Sequence, residues 1–179
     1  MNFFQAFNLS VFVGTLGTLA GGLSRIPAGV GDWRLANWLF IAFFLLFRLK
    51  MVLDDHQYFA KAKTKNVNFK IGFVTAVASW LFWALAGYSI GQLQQAYFLV
   101  GIAISISTLW ILAVALLEGA TSEHYFWIAA NTVIIVLLWG AYRRNASTSD
   151  WVTWLLLGGI LVLVIADFIY SKSVPELDQ

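Results

Sequence analysis

Six long apolar segments make up most of this chain, and they restrict the folds that it can adopt. They cover about 4–24, 35–53, 71–91, 96–117, 125–142 and 151–170. A helix that crosses the hydrocarbon core of a bilayer needs about 20 mainly apolar residues, so each segment has the length of one span. With 60% hydrophobic and only 11% charged residues, a chain of 179 residues cannot bury this apolar surface in a core of its own. We therefore expect an all-α, polytopic integral membrane protein, a bundle of six transmembrane helices.

The spans are predicted to form a single transmembrane domain over residues 1–171, followed by a polar C-terminal tail at 172–179. Turn-forming or polar residues separate them, as in the loop of residues 24–32, which contains a proline and two glycines between Arg25 and Asp32. The uncharged turn of residues 91–95 is short, so spans three and four should be antiparallel neighbours.

Basic residues predict the orientation of the chain in the membrane. Four lysines lie between Lys61 and Lys70, and Arg48 and Lys50 precede them, whereas the opposite side keeps four arginines. Loops rich in lysine and arginine stay in the cytoplasm, so this loop and, with six spans, both termini should be cytoplasmic. The expected location is the plasma (inner) membrane, with multiple passes.

This threading gathers titratable residues on one side of the membrane. The ends of spans two, four and six and the start of span five face the cytoplasm, and they carry Asp54, Asp55, His56, Glu118, Glu123, His124 and Asp167. Charged residues at the edge of the hydrocarbon are functional candidates. We therefore expect a channel or transporter for an ion or small solute, with this acidic and histidine cluster at its cytoplasmic mouth.

Two sets of polar residues are candidates for the pathway or gate. Arg48 and Lys50 lie inside the end of span two, where Lys50 is spaced to pair with Asp54 along the helix and Arg48 shares a face with Asp55. The alternative is that both bases reach the interface while the acids are solvated. The second set lies within or near the end of the spans and comprises Ser105, Thr108, Asn131 and Asp167. For the two hydroxyls, the alternative is a bond back to a carbonyl of their own helix.

A metal site is a second hypothesis for the cytoplasmic cluster. Imidazole and carboxylate ligands suit a divalent metal ion such as Zn, Mn or Fe(II), and the candidate ligands are Asp54, Asp55, His56, Glu118, Glu123 and His124. The two histidines also allow bis-histidine haem ligation. The alternative function is then a membrane-embedded metal-dependent or lipid- or quinone-handling enzyme. An enzyme is the less favoured class, because the chain has no P-loop, no Rossmann glycine pattern and no evident nucleophile–base pair.

Small residues in span one indicate close helix packing and association. Ser10, Gly14, Thr18 and Gly22 follow one another at intervals of four, a pattern that lets helices approach closely. We expect the chain to be surrounded by the lipid bilayer. It should form a homo-oligomer or bind a partner in a larger membrane complex, in which it would be a non-catalytic subunit. A net charge of +2 offers no footprint for nucleic acid.

The predicted orientation is testable because the chain contains no cysteine. We expect Thr64→Cys, in the lysine-rich loop, to react with a membrane-impermeant maleimide only after cells are permeabilised. Gln92→Cys, in the turn between spans three and four, should react in intact cells. Labelling of Thr64→Cys in intact cells with protection of Gln92→Cys would reverse the topology.

Overall fold

The computed structural model describes residues 3–26, 35–61, 67–144 and 151–170, without the side chains of 35, 36, 58–61, 67–69 and 118. Over these ranges the secondary structure is helical. The elements are α1 (Phe3–Leu23), α2 (Leu35–Lys61), α3 (Val67–Tyr88), α4 (Leu93–Glu118), α5 (Ser122–Arg143) and α6 (Trp151–Tyr170). The prediction of an all-α fold with one helix for each apolar segment is thereby confirmed. The C-terminal tail and residues 62–66 of the lysine-rich loop lie outside the described residues.

Several helix ends differ from the predicted spans, and the largest difference is at the end of α2. Helix α2 continues past residue 53 through the charged residues as far as Lys61. The turn between α3 and α4 comes earlier than predicted, because Ser89 N–H donates to the Leu85 carbonyl and Gln92 N–H donates to the Ser89 carbonyl (2.7 Å). Helix α4 therefore begins at Leu93, and Gln94 and Gln95 belong to it.

Within the described ranges, five helices are long and apolar enough to cross a membrane. They are α1, α3 from Lys70, α4 as far as Leu117, α5 and α6. Their outer faces carry large apolar side chains, with Leu116 77% and Ile169 75% exposed. Water-soluble monomers seldom expose large contiguous apolar patches, so this surface is typical of a multi-pass membrane protein. Helix α2 is not among the five.

The helices pack in a closed order. Helix α1 contacts α2 and α3, α3 contacts α4, α4 contacts α5, α5 contacts α6, and α6 contacts α2 again. The contact between α3 and α4 across their short turn confirms the prediction that they are neighbours. The order closes on itself, and buried side chains from all six helices form one main core, beside a small second cluster around Trp80 between α1 and α3.

Aromatic side chains fill that interior. Phe40, Phe43, Phe44 and Phe47 recur along one side of α2 and are all buried. They pack against Trp83 of α3 and Tyr97 of α4, with ring centroids 5.0 Å apart for Phe44 and Trp83 and 4.8 Å apart for Phe40 and Tyr97. We call these six residues the aromatic core. It leaves the charged C-terminal part of α2 at one end of the bundle.

At the opposite end, α1 and α3 cross in very close contact. A Cβ atom on Gly22 would lie 2.3 Å from the Gly87 carbonyl oxygen, and one on Gly87 would lie 3.0 Å from Thr18 Oγ1. The small-residue pattern of α1 therefore divides between two directions. Thr18 and Gly22 face α3, whereas Ser10 and Gly14 are exposed.

Substitutions on α1 test this crossing. We expect Gly22→Ala to lower the free energy of unfolding by about 1–3 kcal/mol, because an added methyl group forces two tightly packed backbones apart. Gly14→Ala is the matched control, since a Cβ there meets nothing within 4 Å. Unfolding in mixed micelles with increasing dodecyl sulfate measures both. Equal stability of the two variants would contradict the close contact.

Candidate functional site

The connection between α4 and α5 brings polar residues to the charged end of α2. Gly119, with a positive φ of 97°, follows the end of α4 in a conformation that favours glycine. Thr121 then caps α5: its hydroxyl accepts from His124 N–H (3.3 Å), and His124 Nδ1 accepts from Thr121 N–H (3.1 Å). This reciprocal cap fixes the first turn of α5, which carries Glu123.

A cavity of about 410 Å³ lies at this end of the bundle, between α2, α3, α4, α5 and α6. This volume is within the range of small-molecule sites, roughly 300–1,000 Å³. Its polar lining comprises Lys50, Asp54, Asp55, Gln57, Thr75, Ser107, Thr121, Glu123, His124, Asn131 and Asp167. Its apolar lining includes Phe47, Met51, Ala76, Trp110, Ile111, Val114 and Trp127. Polar groups from five helices and a helix cap thus converge on one space with apolar walls.

Most of the acids and histidines that the sequence places on one side are brought together by this cavity. Asp54, Asp55, Glu123, His124 and Asp167 line it. His56 does not, because the Gln5 side-chain amide of α1 donates to its Nε2 at 3.1 Å. The side chain of Glu118 lies outside the described residues.

Lys50 connects three helices at the wall of the cavity. Its ammonium forms a salt bridge with Asp54 and lies 3.6 Å from Asp167 Oδ1 on α6. Trp127 of α5 donates its indole N–H to the same Asp167 oxygen at 3.0 Å. The ammonium also lies 5.6 Å from the centre of the Trp127 ring, close enough for a cation–π contact. Only 1% of Lys50 is exposed, so this base is buried and paired rather than extended to the interface.

Arg48 lies on the other side of α2 and does not line the cavity. It is fully buried, with its guanidinium 5.7 Å from the centre of the Trp80 ring. Asp55 on the same helix supplies the opposite charge, and Trp80 donates its indole N–H to Asp55 Oδ2 at 3.3 Å. Among the described residues, no group accepts a hydrogen bond from the guanidinium nitrogens. Its predicted place on a pathway therefore has no support from the cavity walls.

The structure places the predicted pathway residues of the spans in different surroundings. Ser105 donates to the Gly101 carbonyl at 2.7 Å and Thr108 donates to the Ile104 carbonyl at 2.8 Å, so both hydroxyls bond back to their own helix. Ser105 lines a second, mostly apolar groove of about 280 Å³ between α4 and α5. Asn131 of α5 lines the polar cavity, whereas Ser105 and Thr108 do not.

Sequence reasoning missed Trp127 of this site. Trp127 anchors Asp167, and Trp110 lines the cavity while its ring covers Gly72, where a Cβ would lie 2.3 Å from Trp110 Cζ2. A signal for Trp127 was present, because it lies on one face of α5 between His124 and Asn131 at helical spacing. The position of Trp110 at the cavity depends on its packing against Gly72 of α3, and no spacing in the sequence indicates that contact.

The structure does not support the metal hypothesis. Among the described side chains, no three histidine, aspartate or glutamate residues lie close enough together to bind a metal ion. No family model, curated protein or solved structure matches this chain. The geometry alone defines a helical bundle of membrane-protein type with an acidic cavity at one end.

Two tryptophans of α3 allow a matched test of the buried carboxylate. We expect Trp80→Phe to lower the free energy of unfolding by about 1–3 kcal/mol more than Trp83→Phe, because the buried Asp55 carboxylate loses a donor. Both changes remove the same volume, and within the described structure the Trp83 indole N–H has no partner to lose. The same mixed-micelle unfolding assay reports both, and a larger loss for Trp83→Phe would argue against the Trp80–Asp55 bond.

Proposed function

We propose that this chain is a transporter for an ion or small solute, with six membrane spans and both termini in the cytoplasm. The observation that carries the proposal is the cavity of about 410 Å³, lined by carboxylates from α2, α5 and α6 at the end that the positive-inside rule assigns to the cytoplasm. In this proposal the cavity is the solute-binding site, and its mouth faces the cytoplasm.

The solvent exposure of the lining residues supports a cavity that opens at this end of the bundle. Thr121 and Glu123 are exposed and mark the mouth. Phe47, 5% exposed, and Asn131, 9% exposed, line the buried floor. Beyond Phe47 the aromatic core continues toward the other end of the bundle. A solute in the cavity therefore meets packed rings, a geometry that favours a carrier open to one side over a continuous channel.

The burial of α2 supports its role as the sixth span. Its phenylalanines fill the interior between the five apolar helices, and its two bases are buried beside acids. Ionisable residues in membrane helices usually face the bundle interior and pair with one another. Lys50, with Asp54 and Asp167, follows that pattern, so α2 can cross the bilayer without presenting its charges to lipid.

Flux into proteoliposomes tests the transport proposal. The purified chain is reconstituted on a solid-supported membrane and challenged with inorganic cations, small amines, amino acids and organic anions. We expect a saturable, protein-dependent current for at least one class. Asp167→Asn should reduce that current by about tenfold or more, the effect of losing one charged contact.

Ser105→Ala is the matched control for this assay, because its hydroxyl bonds to its own helix outside the polar cavity. It should carry the wild-type current. Absence of protein-dependent current for every class, or an Asp167→Asn current equal to that of the wild type, overturns the proposed function.

A further inference from the structure

We infer that the cavity selects a small organic cation, an ammonium group with apolar substituents and one hydrogen-bonding group. The inference rests on the proposed function, since it names the solute class of the same cavity. Four properties of the described lining carry it: charge, aromatic walls, the absence of a metal-ligand group, and a buried amide at the floor.

The charge of the lining favours a cation. The described side chains around the cavity include four carboxylates, those of Asp54, Asp55, Glu123 and Asp167. Two bases lie beside them, Lys50 against Asp54 and Asp167 and the buried Arg48 near Asp55, so the acids are still in excess. Low-dielectric walls concentrate the field of such an excess and raise the local concentration of the opposite charge. Anionic solutes are disfavoured for the same reason.

The walls favour an organic cation over a metal ion. Among the described side chains, no three acids or histidines are grouped for metal binding. Trp110 and Trp127 instead line the cavity with Met51, Ile111 and Val114. Alkylammonium groups bind well on indole faces beside carboxylates, because the ring quadrupole attracts a weakly hydrated cation.

Lys50 shows that this lining accommodates an ammonium group. Its Nζ lies 3.6 Å from Asp167 Oδ1 and 5.6 Å from the centre of the Trp127 ring. This is the combination of carboxylate and aromatic face that a substrate amine requires. A bound cation would share these acids with Lys50 or draw on Glu123, which stands at the exposed mouth.

The floor supplies a specific hydrogen bond. Asn131 is only 9% exposed, and it lines the cavity. Its amide offers both a hydrogen-bond donor and an acceptor at this wall. A hydroxyl or carbonyl group on the solute can pair with it, and this places a polar group of the solute opposite its ammonium head.

Three isosteric probes test the inference by calorimetry on the full-length protein in a neutral maltoside detergent. Choline carries a trimethylammonium group and a hydroxyl, 3,3-dimethyl-1-butanol is its neutral isostere, and 3,3-dimethylbutanoate is an anion of the same shape. We expect choline to bind about tenfold or more tightly than the neutral alcohol, the difference expected for one charge-assisted contact. The anion should give no binding heat.

Variants identify the cavity as the site. Asn131→Asp adds a carboxylate at the floor and should strengthen choline binding, whereas Glu123→Gln should weaken it, each by about threefold to tenfold. Ser105→Ala should leave it unchanged. Because Glu123 is exposed and its change is isosteric, that variant keeps the test valid if Asn131→Asp fails to fold.

The outcomes separate this inference from the transport proposal. Equal binding of choline and the neutral alcohol, preferred binding of the anion, or no choline binding by the folded wild type overturns the cation inference. Choline binding that responds to these variants, without protein-dependent flux of choline or of any other solute class, supports the cation site and overturns transport. Flux of anions or neutral solutes without choline binding supports transport and overturns the cation site.

Discussion

The buried ammonium of Lys50 is the interaction on which the polar end of the bundle depends. It joins Asp54 on its own helix to Asp167 on α6, and Trp127 of α5 holds the same aspartate through its indole. Burying charges costs desolvation energy, and removing one partner from such a pair leaves an uncompensated charge behind. Helices α2, α5 and α6 therefore have one relative position in which all of these groups are satisfied, and that position leaves the cavity between them.

The all-α fold was predictable because each apolar run has about the length of a membrane-spanning helix. The same threading placed Asp54, Asp55, Glu123, His124 and Asp167 at one end, since helix direction alternates along the chain. Rotation of each helix about its axis was not predictable in this way. It separates His56, which turns toward α1, from His124 at the cavity, and it gives the cavity Lys50 instead of Arg48.

Local and tertiary preferences also compete at the hydroxyl side chains. Ser105 and Thr108 lie near the middle of α4, where their hydroxyls could line a solute pathway. Each hydroxyl instead donates a hydrogen bond to a backbone carbonyl one turn earlier in the helix. Asn131 has no such local solution, because an amide needs several partners. Serine and threonine can form hydrogen bonds within their own helix. Their presence in a span therefore says little about whether they line a binding site.

The Gly22–Gly87 crossing sets the spacing of α1 and α3 at one end of the bundle. It fastens α1 to α3 at the end remote from the cavity, where two backbones touch without side chains between them. From Gly87 to Gly72 at the cavity wall, α3 extends roughly 22 Å at about 1.5 Å per residue. A tilt of about 10° around the crossing would move that wall by about 4 Å, a displacement comparable to a methyl group's diameter. Such a rotation would change the width of the cavity, and the contacts of Phe4 and Phe7 with Phe73 oppose it.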